Sequence, residues 1–181
     1  LYFIGYEPEH GTELWVTDGT DAGTRLVKDV LPGWQSTNFS ELTVVGESLF
    51  FVATDPEAGS ELWTSDGTEA GTRRVRDIRP GIEGSSPTQL FDFQGELAFI
   101  ADDGEHGREI WLSDGTADGT HLLADIYEGS GSSDPENTLS SRSFAIFQDA
   151  LYFVARDRSS NGVWRFDVQA TLVRPVSPTF S

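Results

Sequence analysis

A short sequence motif that contains a tryptophan recurs along this chain at a nearly constant spacing. This recurrence limits the possible folds more than any other feature. Trp15 follows Glu-Leu, and a matching segment returns at Trp63 and Trp111 in steps of 48 residues, with Trp164 a further 53 residues on. A Leu-x-Phe marker runs in the same phase from positions 1, 49, 97 and 151. Such a period indicates one supersecondary unit repeated in series, each unit burying its apolar face against its neighbours.

Each period contains four short strand-like segments. In the third period they cover 89–93, 97–101, 109–112 and 121–126, separated by turns rich in Gly, Asp and Pro. This pattern is typical of an antiparallel meander, and no helical period of useful length interrupts it. Three connections in each period are short, whereas the fourth is long. The pattern therefore predicts an all-β protein, a β-propeller of four-stranded antiparallel blades with about four blade repeats.

The long links set the expected blade boundaries within a single stretch of repeats over 1–181. Blade one is partial, because the chain opens at what corresponds to a second strand, and the fourth repeat departs most from the pattern. Either the tail at 177–181 or upstream sequence could supply the missing first strand. With no Met and a strand-like start, the chain is expected to be part of a longer protein. The expected blades cover 1–31 (partial), 38–79, 87–127 and 142–177.

The motif that carries the repeat reads ELWVTDGT at 13–20, ELWTSDGT at 61–68 and EIWLSDGT at 109–116. These segments resemble the bacterial ELWxxDGT repeat family, and a Gly-Thr pair after each of them matches that family's usual continuation. The resemblance covers nearly the whole chain, more weakly over 142–181. It implies large secreted or surface-attached bacterial proteins, hence an extracellular or cell-surface location, and it implies no particular activity.

The charge balance limits the possible partners. The chain has 30 Asp and Glu against 12 Lys and Arg, a formal charge of −18, which repels phosphate backbones and anionic lipids. No apolar run approaches the roughly 18 residues of a membrane span. We therefore expect no nucleic-acid partner and no membrane insertion in this segment, and any charge-driven partner should be cationic. The absence of Cys excludes disulfides and thiolate chemistry.

The Asp-Gly-Thr turns have two interpretations. Asp18 and Asp21 offer hard oxygen ligands for a cation, but Asp21 becomes Glu69 and then Ala117 in the later repeats. A structural role is favoured: the first Asp caps backbone N–H groups two residues on, Gly19 permits positive φ, and the second Gly suits a bulge before the next strand. We expect no metal at these turns.

Histidines recur in the loops after the second strands. His10 follows Glu9 and His106 follows Glu105, and such pairs could ligate zinc or act as bases. The intervening repeat has Ala58 at this place, which favours solvated turn residues. No metal site is predicted.

The repeated tryptophans have two interpretations as well. They could form an aromatic ligand platform, but recurrence at the repeat period favours packing in the wedge between blades. Trp34 has no counterpart, since Ile82 takes its place in the next link, and an unpaired Trp in a Gly- and Pro-rich loop could contact a partner.

No nucleophile elbow and no phosphate-binding loop occur, so we predict no enzyme activity, no catalytic residue and no cofactor. The function expected is a non-catalytic scaffold or protein-binding module within a larger assembly. Two alternatives remain open: a glycan-binding lectin propeller, and an accessory propeller of a secreted hydrolase. Contacts are expected on the face with the long, variable links and the loops after the second strands. The candidate binding residues there are Trp34, Tyr127, Ile82, Glu9, His10, Glu57, Glu105 and His106.

Overall fold

A computed structural model describes residues 1–135, 144–168 and 171–176 of the chain. These residues form fifteen β-strands in four separate sheets, and no helix occurs among them. None of them therefore builds a helix of the length and apolarity needed to cross a bilayer. Each sheet is an antiparallel meander in which strands adjacent in sequence are adjacent in space.

The first sheet has three strands and the other three sheets have four each. Sheet one consists of β1 (Tyr2–Glu7), β2 (Gly11–Val16) and β3 (Arg25–Lys28). Sheet two consists of β4 (Phe39–Val45), β5 (Ser48–Asp55), β6 (Gly59–Ser65) and β7 (Arg73–Arg74). Sheet three consists of β8 (Thr88–Phe93), β9 (Glu96–Asp102), β10 (Arg108–Ser113) and β11 (His121–Leu122). Sheet four consists of β12 (Phe144–Phe147), β13 (Ala150–Arg156), β14 (Asn161–Asp167) and β15 (Leu172–Pro175).

The strands of sheets two and three lie where the repeat places them. Residues 49–78 and 97–126 each contribute three antiparallel strands, and 38–45 and 87–93 each contribute a fourth. The last strand of each is shorter than predicted, with β11 covering two residues. Parts of the fourth expected blade, at 142–143, 169–170 and 177, lie outside the described residues, as does the tail at 177–181.

The core lies between consecutive sheets. Three clusters of buried apolar side chains fill the three spaces, and all five residues from Leu97 to Ala101 on β9 are fully buried. This confirms the expectation that this strand is covered on both faces. Each fully buried Phe contributes about 2–3 kcal/mol. Leading members are Leu14, Phe51 and Trp63 between sheets one and two, Phe50, Phe99 and Trp111 between two and three, and Ile110, Phe153 and Phe166 between three and four.

The repeated tryptophans follow the packing interpretation with one exception. Trp63 and Trp111 are 7% and 5% exposed and pack against the preceding sheet, and half-buried Trp164 packs in the same way. Trp15 is also half-buried but belongs to none of the three clusters. Because side chains alternate along a strand, the burial of Leu14 toward sheet two places Trp15 on the opposite face of sheet one, where Phe3 stacks on it at 6.4 Å.

Candidate functional site

The Asp-Gly-Thr turns are closed by their own side chains. In sheet two, Asp66 Oδ1 accepts hydrogen bonds from Thr68 N at 2.9 Å and Thr68 Oγ1 at 2.7 Å, and Thr68 Oγ1 accepts one from Gly71 N at 3.0 Å. Sheets one and three repeat this arrangement. The hydrogen bonds from Thr68 lower the pKa of Asp66. The predicted cap, with positive φ at the central Gly, is confirmed.

Glycine is required at the second position of each turn for a different reason from the one expected. A Cβ at Gly71 would lie 2.0 Å from Asp66 Oδ1, and Gly23 and Gly119 have the same contact with their own Asp. These glycines lack positive φ, and no register shift occurs at them. The close approach of the carboxylate, rather than a bulge, requires Gly. Within the described ranges no group of three or more His, Cys, Asp or Glu could hold a metal ion.

A buried glutamate organises each link to the next sheet. Glu61, the first residue of the repeated motif, is fully buried and accepts hydrogen bonds from Arg79 N at 3.1 Å, Ser85 N at 2.9 Å and Ser85 Oγ at 2.5 Å. Glu109 does the same for Tyr127 N at 3.2 Å, Ser133 N at 3.1 Å and Ser133 Oγ at 2.6 Å. One carboxylate thus fixes both ends of the link that leaves its sheet.

Glu13 completes the series in sheet one. It accepts hydrogen bonds from Val30 N at 3.1 Å and Thr37 Oγ1 at 2.9 Å. Sequence reasoning did not assign this role, yet a signal was present: a Thr or Ser follows each glutamate after 24 residues, at Thr37, Ser85 and Ser133. The fourth repeat has Gly162 at the position of the glutamate.

Burial dominates the electrostatics of these carboxyl groups. It raises the pKa of Glu13 and Glu61, and it raises the pKa of Glu109 to about 7, against the opposing effect of the hydrogen bonds that each receives. Backbone N–H groups and hydroxyls, rather than Lys or Arg, surround them in the part of the chain described. The stability of the links therefore depends on pH.

The links and the loops after the second strands lie along the same edge of the sheets. Thr37 N donates to Thr12 O at 3.1 Å, and Ser86 N donates to Ser60 O at 3.0 Å, so the first link runs beside the start of β2 and the second beside the start of β6. We call this surface the link face; it comprises the links at 30–37, 78–86 and 126–134 and the loops at 8–10, 56–58, 103–107 and 157–160. The Asp-Gly-Thr turns and the tight turns at 46–47 and 94–95 lie at the opposite ends of the strands.

Two of the predicted contact residues are exposed on this face. Trp34 is 77% exposed and Ile82 is 79% exposed, and they stand at matching places in successive links. Tyr127 has internal partners instead. Arg156 lies over its ring, 5.2 Å from the centroid, and a Cβ at Gly131 would come within 2.2 Å of Tyr127 Cδ1. Tyr127 is half-buried and packs inside the third link.

The predicted Glu and His residues belong to separate turns. His106 Nδ1 lies 2.7 Å from Asp103 Oδ2, and His10 Nδ1 contacts Glu7 Oε1 in the same way. These carboxylates raise the pKa of both histidines. No hydrogen bond or ion pair between described residues joins one histidine to the other. The three glutamates are exposed at their turns, at Glu9, Glu57 and Glu105.

We call the contacts between consecutive sheets the first, second and third junctions, in chain order. One repeat position near the start of each link differs in chemistry from junction to junction. At the second junction Arg79 Nη1 bonds Asp102 Oδ2 at 3.0 Å. At the third, Tyr127 occupies the equivalent place and contacts Arg156. At the first, Leu31 stands there, beside a pocket of about 190 Å³.

A larger pocket lies at the third junction, between sheets three and four. Its volume is about 460 Å³, within the range of small-ligand pockets. It opens between the third link and the loop after β13. Its lining residues are Ala124, Asp125, Ile126, Glu128, Asp157, Arg158, Ser159, Trp164 and Val173.

Comparison with known proteins supports the fold alone. No family model matches the chain, and no curated protein sequence matches it. Among solved structures, TolB from Acinetobacter baumannii superimposes with a TM-score of 0.50 at 16% identity, over 98% of this chain and 40% of TolB. Puromycin hydrolase matches with a TM-score of 0.45 at 14% identity, over 93% of this chain and 34% of that protein. This chain thus spans well under half the length of either protein. The match to TolB, a propeller protein, supports a propeller-like arrangement of the four sheets described here.

Proposed function

We propose that the four sheets are blades of a β-propeller that acts without catalysis as a scaffold and binds a protein partner through its link face. The resemblance of the repeats to the ELWxxDGT family supports an extracellular or surface-attached bacterial setting for it. The chain's formal charge of −18 favours a partner with a basic surface.

The exposure of Trp34 and Ile82 carries this proposal. Apart from Leu1, they are the most exposed large hydrophobic side chains among the described residues, and Trp is among the residues that dominate binding energy at protein interfaces. Both residues sit on links that Glu13 and Glu61 anchor at each end. A pre-ordered loop loses little conformational entropy on binding, so such anchoring favours affinity.

The absence of catalysis is supported by the surroundings of the histidines. Among the described residues, His10 and His106 bond carboxylates through Nδ1 and His121 bonds the backbone oxygen of Gly119, and no hydrogen bond joins any of the three to a Ser or Thr hydroxyl. The lectin and hydrolase-accessory alternatives predict binding of free glycans and association with a catalytic domain, respectively.

Site-specific photocrosslinking tests the proposal. A benzophenone amino acid replaces Trp34 or Ile82 in the full-length protein on the cells that make it, and the same substitution at Glu47 or Glu96 on the opposite face serves as the matched control. The proposal predicts one discrete protein adduct from positions 34 and 82 and none from 47 and 96. Adducts from the control positions alone, or from no position, would overturn it.

A further inference from the structure

The second and third junctions differ in the residue at this repeat position, and the larger pocket lies at the third. At the second junction the Arg79 side chain lies between Asp102 and Glu83, and its Nε is 3.3 Å from where a Gly104 Cβ would stand. At the third junction, Tyr127 packs against Gly131 instead. Trp164 lines the pocket and is half-buried, whereas Trp111 at the second junction is 5% exposed.

The pocket combines an apolar wall with an excess of negative charge. Trp164, Ile126, Val173 and Ala124 supply the wall. Asp125, Glu128 and Asp157 face a single cation, Arg158, so three carboxylates and one guanidinium give a formal charge of −2.

One of these carboxylates is free to meet a ligand. Asp157 Oδ1 accepts hydrogen bonds from Ser159 N and Ser160 N, and Asp125 Oδ2 accepts one from Gly129 N at 3.0 Å. The carboxylate of exposed Glu128 makes no hydrogen bond or ion pair within the described ranges, while its backbone oxygen accepts Arg158 Nη2 at 2.6 Å.

We infer that this pocket binds an organic cation, the side chain of a Lys or Arg in a basic segment of a partner protein. An aromatic wall beside a carboxylate suits an ammonium or guanidinium group, which gains from the ring quadrupole and from the ion pair together. The pocket's net charge attracts cations and disfavours anions. The inference rests on the proposed function only for the source of the cation, because the pocket lies on the link face.

Small probes test the pocket without a partner. In ¹H–¹⁵N spectra of the whole chain, with the Trp164 indole signal assigned from a Trp164→Phe variant, n-butylguanidinium and n-butylammonium are titrated beside neutral n-butanol and methyl glucoside. We expect the two cations to shift the Trp164 signal with Kd values on the order of 1–10 mM, with the buried Trp111 signal unmoved. Equal shifts from butanol, or tighter binding of the glucoside, would overturn the inference.

Two variants separate charge from shape. Glu128→Gln should weaken cation binding at least threefold, whereas Glu96→Gln on the opposite face should leave it unchanged. Arg158→Ala removes the competing cation and should strengthen binding two- to fivefold. Weaker cation binding in Arg158→Ala would contradict the inference, as would an unaltered Kd in Glu128→Gln. If crosslinking at position 34 persists while these titrations fail, cation binding by the pocket is refuted and the proposed function still stands.

Discussion

Replacing Glu109 tests the buried carboxyl groups on which the link architecture depends. The side chain is fully buried and receives hydrogen bonds from Tyr127 N, Ser133 N and Ser133 Oγ. Glu109→Ala leaves two backbone N–H groups and a hydroxyl without their acceptor, which should cost about 3–5 kcal/mol of unfolding free energy. Glu109→Gln keeps one acceptor oxygen and should cost about 1–2 kcal/mol.

The pH dependence follows from the direction of the pKa shift. Because the folded pKa of Glu109 is raised from 4.5 to about 7, the folded state binds more protons than the unfolded state in that interval. The stabilising contribution is fully present below pH 4.5 and is lost as the pH rises through 7. A shift of this size corresponds to about 3 kcal/mol. The difference in unfolding free energy between wild type and Glu109→Gln isolates this contribution, since the other titrating groups are common to both.

Urea unfolding followed by tryptophan fluorescence, at intervals from pH 4.5 to 8, measures that difference. The advantage of wild type over Glu109→Gln, about 1–2 kcal/mol at pH 4.5, should shrink as the pH rises and reverse in sign by pH 8. Glu105→Gln, an exposed position in the loop between β9 and β10, should differ from wild type by no more than about 0.5 kcal/mol throughout. A difference that stays constant between pH 4.5 and 7.5, or one that grows with pH, would refute the assignment of a raised pKa to Glu109.

Other perturbations test the turns, the core and the exposed contact residues. Gly71→Ala should destabilise the chain by at least about 2 kcal/mol, because the new Cβ would lie 2.0 Å from Asp66 Oδ1. Adding Asp66→Ala should recover part of this loss. Strictly additive unfolding free energies of the two substitutions in denaturant melts would argue against the clash. Phe99→Ala removes a fully buried ring and should cost about 3–5 kcal/mol, whereas Phe147→Ala, 61% exposed, should cost less than about 1 kcal/mol in the same assay. Trp34→Ala should leave the unfolding free energy within about 0.5 kcal/mol of wild type, and a larger loss would mean that Trp34 packs within the fold.

The fold was largely predictable because the repeat fixes strand order, turn positions and buried faces at once. The period of 48 residues located the strands of sheets two and three, and the Leu-x-Phe phase located their buried positions. The cap of Asp66 on Thr68 followed from local turn chemistry. These features depend on contacts between neighbours in sequence, which a single sequence reveals.

The candidate site was predictable only in part, because its contacts span two sheets. Trp34 and Ile82 were identifiable as unmatched apolar residues in polar links. The internal packing of Tyr127 depends on Arg156, 29 residues further along and in the next sheet. The glutamates were interpreted only as part of a repeat signature, although the recurring Thr or Ser 24 residues later marked their partners.

Native-state hydrogen exchange of the link amides tests most directly whether the buried glutamates hold the link face in place. The N–H groups of Val30, Arg79, Ser85, Tyr127 and Ser133 lie outside the strands, yet each donates to a buried glutamate. They should exchange as slowly as the amides of β9, and Glu109→Ala, which removes the acceptor of both amides, should accelerate exchange at Tyr127 and Ser133 while sparing Arg79 and Ser85. Exchange of all five at the rates of unprotected loops would contradict the account.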